Sequence, residues 1–210
     1  MKRTACLLSL VFIIILIVSG ISGCATSSKT VPVLTITGEP QPVIEKQLPE
    51  KKRTKLGLYI TSREAFERWQ LNPDEIHILD CRTPEEYVFV GHAPMAYNVP
   101  GKFMKYRLNN EKEKPVMEDN PDFLEKVKNL FQPEDTIFVM CRSGSRSAKS
   151  VNALADAGYE NVYNIIGGFE GDKVDDPGSY YDGKRMRNGW KNSGAPWTYD
   201  LDPRLMYLAE

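Results

Sequence analysis

The chain has 210 residues, 26% of them charged and 41% hydrophobic, with a formal net charge of −1. That length holds one ordinary domain with its own core plus extensions, and so even a charge balance argues against a nucleic-acid partner. The 2 histidines, His77 and His92, form no pair with each other or with a cysteine at ligand spacing, which argues against structural zinc. No metal and no cofactor is expected.

Lys2 and Arg3 precede the apolar stretch 6–18, and Ser19-Gly20-Ile21-Ser22-Gly23 supplies small residues before Cys24. The stretch is too short to span a bilayer and ends in small residues, so 1–23 reads as an export signal; an uncleaved anchor is the other reading. Ile21-Ser22-Gly23-Cys24 resembles a bacterial lipobox, although that motif prefers Leu where Ile21 stands. The resemblance implies a lipidated Cys24 as the mature N-terminus and a domain facing the periplasm. Ala25 stands where an inner-membrane retention signal has Asp, which favours the outer membrane. With Cys24 lipidated, Cys81 and Cys141 are the one pair left that could join. So few cysteines in an oxidising compartment do not make a disulfide scaffold, and a free thiol there is expected to do chemistry.

Residues 24–55 carry Pro32, Pro40, Pro42 and Pro49 and the basic run Lys51-Lys52-Arg53-Thr54-Lys55. They read as a flexible, solvated linker whose basic run could touch anionic headgroups. The folded domain is expected from Leu56. Thr61-Ser62-Arg63-Glu64 is a capping box for a helix through Trp69, and Ile76–Cys81 reads as a buried strand. Thr83-Pro84-Glu85-Glu86 starts a second helix, broken at Gly91-His92-Ala93-Pro94 before a short strand at 96–99. Residues 101–119 are charged and read as an irregular, exposed insertion. Asn120-Pro121 then caps a helix with Phe123, Leu124, Val127, Leu130 and Phe131 on one face.

Thr136–Met140 is a continuous apolar run, β-branched and aromatic, that reads as a buried strand. Ser147–Ala157 is a good helix former closed by Gly158, and 161–166 reads as another strand. Between strand and helix lies Cys141-Arg142-Ser143-Gly144-Ser145-Arg146-Ser147. A short loop of small residues turns several backbone N–H groups inward, and the helix N-terminus adds partial positive charge. With Arg142 and Arg146 alongside, the Cys141 thiolate should be favoured, which makes the loop a nest for a nucleophilic sulfur. Strands alternating with helices argue for an α/β fold with a parallel sheet covered on both faces, and Asp80 and Cys141 both fall at carboxyl ends of strands. From Gly167-Gly168 onward the chain is loop-like and aromatic, and 171–188 could either wrap the sheet or cover the Cys141 loop.

These residues resemble the single-domain rhodanese sulfurtransferases from about Tyr59 to Pro196. The resemblance rests on Ile78-Leu79-Asp80-Cys81-Arg82-Thr83-Pro84-Glu85-Glu86-Tyr87, Gly91-His92-Ala93-Pro94 to Asn98-Val99-Pro100, the Cys141 loop, Gly167-Gly168-Phe169, and Trp190 to Pro196, all in the family's order. It implies a rhodanese-like domain over 56–198, with insertions near 101–119 and 171–188 and a tail at 199–210. It also implies a five-stranded parallel sheet and a persulfide carried on Cys141. Arg142, Ser143, Gly144, Ser145, Arg146 and Ser147 would bind the donor, and Asp80 and Arg82 would support the loop.

Arg146 closes the loop at the rhodanese length, one residue shorter than in the related cell-cycle phosphatases and arsenate reductases, which disfavours a phosphatase. Position 81 usually holds an aliphatic residue in this family. Cys81 is then either a small buried hydrophobe or a resolving thiol that traps Cys141. His92 reads as a residue that fixes a loop. The expected activity is transfer of sulfane sulfur from thiosulfate or polysulfide, a small anionic donor, to a thiol or cyanide acceptor or an unknown periplasmic protein. The alternatives are a sulfur-carrying or partner-binding module without turnover, and a thiol redox protein using Cys81 and Cys141.

Overall fold

The computed structural model describes residues 47–111 and 113–209. The stretch 1–23 read as an export signal, Cys24 and the expected linker as far as residue 46 lie outside the described residues.

Five strands form one parallel sheet. They are β1 (Tyr59–Ile60), β2 (Ile76–Asp80), β3 (Tyr97–Asn98), β6 (Thr136–Met140) and β7 (Val162–Ile165), in the order β1-β7-β6-β2-β3. Four helices connect and cover them: α1 (Ser62–Leu71), α2 (Pro84–Val90), α3 (Phe123–Lys128) and α4 (Ser145–Asp156). The sheet is the five-stranded parallel one that the resemblance implied, with helices around it. α1 and α2 both begin with complete capping boxes, Thr61 with Glu64 and Thr83 with Glu86, and Pro84 supplies a preset φ in the first turn.

Alternation along β2 and β6 sends Leu79, Cys81, Ile137, Val139 and Cys141 into one cluster with Phe123, Val127 and Phe131 beneath α3 and with Val151 and Leu154 of α4. The intervening Ile78 and Phe138 are buried as well, as a sheet covered on both faces requires. From β2 the chain steps to β3, and from β6 it steps the opposite way to β7. The connections therefore diverge above the carboxyl ends of β2 and β6, where an open α/β sheet leaves a crevice.

The structure departs from the sequence reading at the basic run, at 101–119 and at the two ends of α3. The basic run is not a solvated linker as far as residue 55, because Lys52 and Thr54 are buried. Lys52 Nζ donates to Ile166 O and pairs with Asp172 at 3.0 Å, and Asn164 Nδ2 donates to the Lys52 carbonyl. A lysine can bury its stem when its ammonium finds such partners, which composition alone does not reveal.

Residues 101–119 are regular rather than irregular: β4 (Lys102–Asn109) and β5 (Lys114–Asp119) pair antiparallel, with Lys105 and Arg107 both near Glu118. Charges on both faces of the hairpin hide its strand period. The tail at 199–210 is held to the edge of the sheet, since Asn98 N donates to Leu205 O and Tyr207 packs on Phe103 at 5.4 Å. Helix α3 takes Asp122 as its N-cap, and Leu130, expected on its buried face, is 43% exposed. Asn120 instead folds the preceding turn, accepting from Asp122 N and donating to Pro100 O.

Candidate active site

Cys141 follows the last residue of β6 and is buried, its sulfur accepting an N–H bond from Gly144 at 3.2 Å. The Ser147 hydroxyl stands 3.5 Å from the same sulfur, and the N–H groups of Ser143 and Ser147 also face it. Burial, the largest single influence, disfavours the thiolate. Arg146, the Ser147 hydroxyl and these N–H groups outweigh it, so the thiol lies below its ordinary value.

The loop keeps this shape because its carbonyls are tied outward. Phe169 N donates to Cys141 O at 2.7 Å, and Glu170 N donates to Arg142 O at 2.9 Å. Gly168 makes that approach possible: it has φ +59°, and a Cβ there would lie 2.6 Å from Ser143 N and closer still to Cys141 O. With the carbonyls turned to the 167–171 turn, the amides are left to the sulfur.

Beneath the loop, Asn164 satisfies its whole amide. It accepts from Ser147 Oγ at 2.6 Å and donates to Gly144 O and Lys52 O, both at 3.0 Å. Asn164 thereby joins β7, the loop and the N-terminal segment. A buried Asn inside an apolar strand was the available signal for it, and sequence reasoning passed over it.

Glu86 was missed in the same way, because the capping box already accounted for it. Its carboxylate takes two bonds of 2.6 Å from the Arg146 guanidinium. Burial works against the Glu86 anion, but Arg146, Thr83 N–H and Arg82 hold its carboxyl below the usual range, and Glu86 holds Arg146 charged. Arg146 is therefore fixed in place, whereas the Arg142 side chain is exposed and has no ion pair among the described residues.

Asp80 and Arg82 are fully buried and bonded side by side, with Arg82 Nη2 2.6 Å from Asp80 Oδ2. The guanidinium also donates to Gly91 O at 2.8 Å and lies 4.0 Å above the Phe169 ring. It holds the end of α2 and the turn that clamps the loop, a supporting position. His92 has both ring nitrogens on backbone carbonyls, Tyr87 O and Asp200 O, and it stacks on Tyr87. That is the loop-fixing position expected of it.

The segment 171–188 forms a small hairpin, β8 (Asp172–Lys173) with β9 (Arg185–Arg187). It walls a cleft of about 880 Å³ that reaches Ser143 and is lined by Lys51, Lys173, Arg187 and Arg63.

Residues 62–174, more than half of the chain, match the rhodanese-like domain family. The chain belongs to that family. Over 91 residues it is 44% identical to thiosulfate sulfurtransferase 16, chloroplastic, of Arabidopsis thaliana, covering 43% of this chain and 68% of that protein. An uncharacterized protein of Rickettsia conorii is 33% identical over 140 residues, 67% of this chain and 96% of the relative. The crystal structure of Rv0390 from M. tuberculosis superposes with a TM-score of 0.53 at 26% identity, covering 67% of this chain and 96% of that one. The rhodanese-like match spans α1 to the start of the β8–β9 hairpin. The N-terminal strap at Lys52, strand β9 and the aromatic tail lie outside the matched residues.

Proposed function

We propose that this rhodanese-like protein is a sulfurtransferase that carries sulfane sulfur as a Cys141 persulfide. The observation that carries the reading is the Cys141 sulfur itself, faced by loop N–H groups beside a fixed Arg146 and held below its ordinary pKa. The thiolate attacks the outer sulfur of thiosulfate, a new S–S bond forms, and the donor's S–S bond breaks as its electron pair leaves on sulfite. Polysulfide serves in the same way. The persulfide anion inherits the N–H groups that held the thiolate, as an anion does at a helix N-terminus. An acceptor thiolate or cyanide then attacks the outer sulfur and returns Cys141 as thiolate. The relative named a thiosulfate sulfurtransferase supports thiosulfate as the donor class.

Arg142 and the cations of the cleft draw in the anionic donor, while Arg146 stabilises the sulfur. The export signal and Cys24 support a chain anchored by lipid and facing the periplasm, where a dedicated partner would be the acceptor. Sulfite release from thiosulfate with cyanide or a small thiol as acceptor tests the proposal. Continued turnover in the wild type and none in Cys141→Ser is expected. A single stoichiometric release that then stops would favour a sulfur carrier over an enzyme.

A further inference from the structure

Cys81 and Cys141 directly follow the last residues of two neighbouring parallel strands, β2 and β6. Asp80 and Met140 are register partners, and the ladder continues one step further, since Cys81 N donates to Met140 O at 2.9 Å. The two cysteines are the next residues beyond the strand ends, and both enter the same buried cluster. Adjacent strands lie about 4.8 Å apart, within the Cα separation of about 4.4–6.8 Å that a disulfide spans. Both thiols are free in this structure. Cys81 also lines a cavity of about 240 Å³, together with Gly101, Asp119, Asn120, Arg146, Lys149 and Ser150.

Resting on the persulfide reading above, we propose that Cys81 resolves the Cys141 persulfide and gives the protein a second activity, release of hydrosulfide. The Cys81 thiolate attacks Cys141 Sγ, and a Cys81–Cys141 bond forms. The proton released by the Cys81 thiol passes to the outer sulfur, the bond from Cys141 Sγ to that sulfur breaks, and its electron pair leaves with it as HS⁻. Two thiol sulfurs are oxidised to a disulfide, the sulfane sulfur is reduced to sulfide, and no other reactant enters. An external dithiol restores the two thiols by exchange.

Burial, the neighbouring Cys141 charge and Asp80 push the Cys81 thiol up, past the Ser150 hydrogen bond and Arg146 that oppose them. Resolution is therefore slow, because only the thiolate attacks. An abundant acceptor takes the sulfur first. A persulfide left without one drains to sulfide.

The test uses the full chain with Cys6→Ser and Cys24→Ser, so that only the two thiols in question remain. The protein is loaded with thiosulfate, freed of donor and held without oxygen. Sulfide is assayed while intact mass is followed. The expected course is decay of the persulfide to a disulfide-linked species with one equivalent of sulfide. The persulfide should live at least about tenfold longer in Cys81→Ala and Cys81→Ser. A wild-type persulfide as durable as those of the variants would overturn the proposal.

A second arm equilibrates the unloaded protein with oxidised and reduced dithiothreitol. A Cys81–Cys141 link is expected, and its absence would overturn the juxtaposition whether or not Cys141 accepts sulfur. Failure of all the proteins to take up sulfur would sink the sulfurtransferase reading itself, and sulfide release with it.

Discussion

Glu86 and Arg146 meet through two N–H···O bonds of 2.6 Å, and the same carboxylate closes the capping box at the start of α2. A residue that starts a helix thus also fixes the arginine beside the sulfur. Arg82 holds the other end of that helix through Gly91 O. Attraction of the anionic donor then falls to Arg142 and the cleft cations.

Glu86→Gln keeps the cap's shape but removes the charge pair, leaving Arg146 mobile beside the loop. Unfolding in urea should show a loss of about 1–3 kcal/mol, below that of a fully buried pair because both groups are partly exposed. The Glu86 carboxyl is held below its ordinary value of 4.5. Its share of stability is therefore complete above that value and is lost as pH falls through the lower folded one, so the variant should lose its acid-side stability dependence in part.

Alkylation of Cys141 by iodoacetamide should rise with pH to a midpoint below the ordinary thiol value of 9.0. Arg146→Gln should move that midpoint upward. So should Ser147→Ala, which also leaves the buried Asn164 Oδ1 without its donor at about 1–3 kcal/mol in stability. A midpoint that neither change moves would mean the loop does not favour the thiolate.

Breaking the buried Asp80–Arg82 pair from one side, as in Arg82→Met, strands a carboxylate and should cost about 3–5 kcal/mol in denaturant unfolding. Removing both charges together should be milder than the sum of the single changes, which a double-mutant cycle would register.

Gly168→Ala and Gly158→Ala make a matched pair. Both glycines have positive φ, but a Cβ at Gly158 meets nothing within 4 Å, whereas one at Gly168 meets the Cys141 and Ser143 backbone. Gly158→Ala should lose only about 1 kcal/mol of stability. Gly168→Ala should displace the loop and lower kcat/KM for sulfur transfer by about 10²-fold.

The sheet and most of its helices were legible because apolar runs such as Ile137–Met140 and capping boxes such as that of Thr83 carry their own signals. The Cys141 loop was legible because its chemistry is local. Contacts across the sheet were not. Lys52 reaches Asp172 across 120 residues, and Arg146 reaches Glu86 across 60, so no local pattern announces either pair. The charged β4–β5 hairpin escaped because strand period is read from hydrophobicity, and its exposed faces carry little.

The most direct test of the central claim is intact mass of the full chain before and after thiosulfate, with Cys141→Ser as the control. The account predicts a gain of one sulfur atom on the wild type, none on the variant, and loss of that mass when cyanide is added. An unchanged wild-type mass after both thiosulfate and polysulfide, with the Cys141 thiol still titratable, would contradict it.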